Sequence, residues 1–144
     1  MMRRRHRLKV LGQVMRYVGS SLVVAAGIYY LLAPPNTTIG FFDASWPPMA
    51  WGVVMILGGG IVAAGLKTRI MQVEQYGMLM IATGSGMLAL AQTMVMLAPP
   101  ITHTRGGGTL ILWAVVSFAA ARYFELSAEI RSAKLAAQKL PEVP

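Results

Sequence analysis

The side chains that could do chemistry in this chain are few, and their spacing converges on no reaction. His6 sits in a basic N-terminal run and His103 lies beside Arg105, and neither has a Cys, Asp or Glu at metal-ligand spacing. Asp43 and Ser45 supply an acid and a hydroxyl, but a nucleophilic triad also needs a base placed to take the serine proton. Gly106-Gly107-Gly108 follows no strand signal and has no phosphate-binding lysine, so it reads as a flexible loop rather than a phosphate cradle. Asn36-Thr37-Thr38 fits a glycosylation acceptor in form, which matters only in a host that modifies such sites. Cysteine is absent, which excludes disulfides and thiol chemistry. These residues point to a non-enzymatic protein with no metal and no cofactor.

What surrounds those residues is mostly apolar. The chain of 144 residues is 56% hydrophobic and 12% charged, against about 25% charged in a soluble domain. Four stretches, 14–32, 49–66, 77–98 and 109–126, reach or approach the roughly 20 residues that a helix needs to cross a hydrocarbon core of about 30 Å. The expected fold is all-α: an integral membrane four-helix bundle built as two tandem helical hairpins. A basic tail (1–13) precedes it and a basic helical tail (127–144) follows it. Ala, Leu, Glu and Lys dominate that second tail, which should prolong the fourth helix until Pro141 stops it.

Charge orients the arrangement. Twelve of the thirteen Lys and Arg residues fall before or, for Arg16, at the start of the first stretch, between the second and third, or at and after the end of the fourth; Arg105 is the exception. The positive-inside rule places both termini and the loop with Lys67 and Arg69 in the cytoplasm. Arg3, Arg4, Arg5, Arg7, Lys9, Lys67 and Arg69 are the expected contacts to lipid headgroups. A net charge of +8 would suggest nucleic acid in a soluble protein, but beside apolar spans it favours anionic lipid and no nucleic acid. Tyr29, Tyr30, Trp46, Trp51 and Trp113 should ring the outer interface, and Tyr17, Tyr76 and Tyr123 the inner one. A cleaved signal peptide is the competing reading of the N-terminus, although Leu32-Ala33-Pro34-Pro35 is a poor cleavage context.

Small residues recur every seven positions: Gly12, Gly19 and Ala26 in and just before the first stretch, Gly77, Gly84 and Ala91 in the third. A shift of 65 positions superposes these series, Ser20 on Ser85, and the two Leu-Ala-Pro-Pro ends, as an internal repeat would. Each double proline should end its helix at the interface. A seven-residue period keeps one face on a partner, and small side chains there let backbones approach. With Gly58, Gly59 and Gly60 these residues are the expected helix-packing sites, within the chain or toward a homo-oligomer or membrane-protein partner. Gln92, Thr93, Thr83, Ser85 and Ser117 should hydrogen-bond between helices at membrane depth. Glu74, Arg122 and Glu125 should sit at the inner interface, where Arg122 and Glu125, three positions apart, form a surface ion pair that supports the helix.

The basic N-terminus, the four spans, the Arg69…Glu74-x-x-Gly77 start of the third and the Ala121-Arg122…Glu125 end of the fourth resemble small membrane proteins of actinobacterial phages and prophages. Some of these are assigned as holins. That resemblance implies a protein without catalytic residues that accumulates in the inner membrane, oligomerises and opens lesions for a cell-wall lysin. It assigns no role to any single residue. Met1 and Met2 have no charge between them, which departs from the frequent holin pattern of a second start beyond a charged residue; Met15 would start a shorter form. The alternatives are an accessory subunit of a larger membrane complex and a small transporter or channel.

Overall fold

A computed structural model describes residues 2–33, 46–97 and 106–138, and each regular element in them is helical. In chain order these are α1 (Met2–Leu32), α2 (Trp46–Thr68), α3 (Met71–Leu97) and α4 (Gly106–Gln138). Each contains a segment long and apolar enough to cross a membrane: Leu11–Leu32, Met49–Thr68, Met71–Leu97 and Gly108–Gln138. Local chemistry explains several boundaries. Pro47 and Pro48 lie in the first turn of α2, where a missing amide breaks no intrahelical bond. Gly106 to Gly108, expected to be a loop, instead form the first turn of α4. Amides there need no partner in the preceding turn, so three glycines weaken the helix less than they would farther in. The Pro34-Pro35 and Pro99-Pro100 pairs lie outside the described residues.

The turn between α2 and α3 is short because α2 ends in a Schellman motif. Arg69 takes the left-handed conformation (φ 58°), and the Ile70 amide donates back to the Gly65 carbonyl at 3.2 Å. Thr68 Oγ1 donates to the Ala64 carbonyl at 2.8 Å, occupying another acceptor of the last turn. The Ile70 carbonyl then accepts from the Val73 and Glu74 amides at 3.1 and 3.2 Å, which starts α3 at once.

Glycine sets how closely the helices approach. α2 carries two such seams, each with a seven-residue period. Gly52 and Gly59 face α1: a Cβ on Gly52 would lie 2.7 Å from the Gly27 carbonyl, and one on Gly59 would lie 2.9 Å from the Ser20 carbonyl. Gly58 and Gly65 face α3, where a Cβ on Gly65 would meet the Glu74 amide at 2.5 Å. α3 answers with Gly77, packed on Val62 and the Gly58 carbonyl, and with Gly84, packed on Val54. These pairings run antiparallel. Backbone proximity of this kind favours association where lipid removes the hydrophobic drive.

The result is an open layer. α1 packs on α2, α2 on α3 and α3 on α4, and the other pairs touch little or not at all. The central helices have 44% and 39% of their most apolar segments buried, whereas α1 has 11% and α4 17%. One core cluster joins Val62, Leu66, Met78, Ile81, Ala119 and Leu126. A second joins Trp51, Leu88 and Ala91. Trp51, expected to ring the interface, is therefore a core residue, because its helix is covered by protein on both sides. Antiparallel order brings the start of α1, the α2–α3 turn and the end of α4 to one end of the layer.

Candidate functional site

Glu74 is the most consequential polar residue in the described structure. It sits in the first turn of α3, its side chain 6% exposed, at the end of the layer where the Lys and Arg residues gather. Arg16 Nη1 from α1 and Arg122 Nε from α4 both donate to its Oε1, each at 3.1 Å. One carboxylate thus ties together three helices, two of which otherwise scarcely meet. Gly65 makes this position possible, since any side chain there would collide with the Glu74 backbone.

Further groups complete the cluster. Arg122 Nη1 donates to Glu125 Oε2 at 3.1 Å and lies 3.6 Å from Glu129 Oε1. Arg16 Nε donates to the Gly12 carbonyl of its own helix at 3.2 Å. Next to Glu74, Gln75 Nε2 donates to Ser127 Oγ at 2.7 Å, and that hydroxyl donates to the Tyr123 carbonyl. The expected Arg122–Glu125 pair is therefore present. It is the outer half of a network whose centre is buried, because the register of α3 against α4 sets Glu74 beside Arg122. Arg16, which the sequence assigned to the basic flank, is the third member.

Chemically this arrangement is a clamp. Two guanidinium groups from separate helices share Oε1 of one carboxylate, which fixes the three side chains relative to one another. No group of three or more His, Asp or Glu that could hold a metal ion occurs among the described residues. Buried ion pairs of this kind contribute little net stability when intact, but removing one partner leaves an uncompensated charge and costs several kcal/mol.

A second polar layer lies toward the other end of α3. Gln92 Nε2 donates to the Tyr30 hydroxyl of α1 at 3.3 Å, and Trp113 Nε1 of α4 donates to Thr93 Oγ1 at 3.2 Å. Gln92 and Thr93 thus bridge helices as expected. Thr83, Ser85 and Ser117 instead donate to carbonyls of their own helices, one turn back. From Glu74 and Gln75 to Gln92 and Thr93 is eighteen residues, about 27 Å of helix. That separation is close to the roughly 30 Å of a hydrocarbon core. Sequence alone could place these polar residues along each helix but could not pair them across helices.

The expected packing residues fall into two groups. Gly58, Gly59, Gly77 and Gly84 meet a neighbouring helix, and Ala91 is buried beside Trp51 and Leu88. Gly12, Gly19 and Gly60 meet no neighbour, and Ala26 is half-buried. On α1 the close approach is made by Gly27 and Ser20. The two seven-residue series thus occupy different environments in the layer. Lys67 and Arg69 are exposed at the basic end. The side chains of Arg3, Arg4, Arg5, Arg7 and Lys9 lie outside those described, as do His6, His103, Asp43 and Ser45. No protein-family model, curated protein or solved structure matches this chain.

Proposed function

We propose that this chain is a non-enzymatic integral protein of a bacterial inner membrane, with both termini in the cytoplasm, that self-associates and permeabilises the membrane as a holin does. The observation that supports this reading most is the open layer. α1 exposes Leu11, Val14, Met15, Val18 and Leu22, and α4 exposes Leu110, Ile111, Phe118 and Phe124. Soluble monomers rarely expose apolar patches beyond a few hundred Å², so these edges call for lipid or another membrane helix. Gly12 and Gly19 stand on α1 with open space beyond them, where a second helix has room to come close. Among the described residues Arg16, Lys67, Arg69, Arg122, Arg131 and Lys134 gather at one end of the layer, which favours the cytoplasmic side for that end. The clamp at Glu74 supports a rigid assembling unit rather than a carrier, since its charges satisfy one another.

Induced expression in a bacterium, followed with a potential-sensitive dye, tests the proposal. Abrupt depolarisation at a defined time after insertion is the expected result. Sustained growth and potential with abundant inserted protein would defeat permeabilisation, and one stoichiometric co-purifying partner would then identify an accessory subunit. Solute-selective uptake in liposomes would identify a transporter.

A further inference from the structure

At the basic end of the layer a groove runs between the α2–α3 turn and the protruding end of α4. Its volume is about 370 Å³, within the range of small-ligand sites. Arg69 of the turn and Lys134 of α4 supply two cations, Gln72 supplies an amide, and Met71, Ile130 and Ala133 form much of the apolar wall. No acid lines it. On α4, residues 130, 133, 134 and 137 stand on one helical face, continuing from buried Leu126 past the end of the core.

We propose that this groove binds the headgroup of an anionic phospholipid, with the phosphodiester between Arg69 and Lys134 and the adjoining glycerol and upper acyl chain against Met71, Ile130 and Ala133. The inference rests on the membrane insertion proposed above. Charge selects an anion, and the apolar wall selects an amphiphile, since a bare inorganic phosphate would gain nothing from it. Position selects a lipid. Ser127 is level with Gln75 by their hydrogen bond, so Ile130 to Ala137 lie about 5 to 15 Å farther out along the helix. The inner part of that span falls in the headgroup layer just beyond the hydrocarbon core. Basic pockets between spanning helices on the cytoplasmic side are suited to such lipids.

The test uses full-length protein in phosphatidylcholine nanodiscs containing a minor share of phosphatidylglycerol, with protein-bound lipid quantified by mass spectrometry. The double variant Arg69→Asn/Lys134→Gln removes both cations; Asn suits the left-handed conformation of residue 69. It should retain about tenfold less phosphatidylglycerol relative to phosphatidylcholine, as expected if each cation contributes about a factor of three or more. Arg131→Glu changes the net charge by the same two units at an exposed position outside the groove and should stay within about twofold of the native chain. Ala133→Trp, which keeps every charge but fills the wall, should also lose the lipid. Equal loss in the Arg131→Glu control would reduce the effect to diffuse attraction and overturn the groove, as would unchanged retention in Arg69→Asn/Lys134→Gln or displacement by inorganic phosphate. Recovery of the native chain in a detergent-free aqueous extract would defeat insertion and the groove together, whereas inserted protein with unchanged lipid retention would defeat the groove alone.

Discussion

Glu74 is where a single atom change should matter most. Glu74→Gln removes the charge that Arg16 and Arg122 share, and it should destabilise the protein in detergent by roughly 2 to 4 kcal/mol, read from its unfolding midpoint. Glu125→Gln should cost under about 0.5 kcal/mol, because Glu125 is 65% exposed and water replaces what it loses. Equal effects of the two substitutions would mean that the cluster is not the clamp described. Arg69 gives a prediction of opposite sign. Its φ of 58° strains a side-chain-bearing residue, so Arg69→Gly should raise stability by about 1 kcal/mol in the same assay. Neither residue stood out by type alone. A carboxylate at an interface looks like a solvated charge until the register of three helices is known, and a left-handed arginine leaves no mark in composition.

Helices were legible from the apolar stretches, and the seams between them only in part. A run of apolar residues reports that a segment prefers lipid or core, not which face meets which neighbour. The α3 series Gly77, Gly84 and Ala91 lines a protein interface, whereas Gly12 and Gly19 on α1 face open space, although the sequence pattern is the same. The difference arises because α3 is flanked on both sides and α1 on one. Gly77→Val would press its side chain into Val62 and the Gly58 carbonyl, and should cost about 1 to 3 kcal/mol or prevent folding, with loss of a monodisperse peak in detergent. Gly12→Val should leave that peak intact. If the open edge of α1 mediates self-association, the same Gly12→Val change should lower cross-linked oligomer several-fold in membranes; undiminished cross-linking would move the contact elsewhere.

At the scale of the molecule, two polar layers about 27 Å apart and an apolar zone between them describe a slab the thickness of a bilayer core. The open edges, the cations gathered at one end and the groove between the α2–α3 turn and α4 all find a physical role in that slab if lipid surrounds it, as proposed. Because the native chain has no cysteine, single introduced cysteines report position without background. Labelling by a membrane-impermeant maleimide at Ala33→Cys, Leu57→Cys and Ser132→Cys is the most direct test. The account predicts that Ala33→Cys reacts from outside intact cells, Ser132→Cys only after the membrane is opened, and Leu57→Cys, half-exposed at mid-helix, under neither condition. Ready labelling of Leu57→Cys from water, or of Ala33→Cys and Ser132→Cys from the same side, would contradict it.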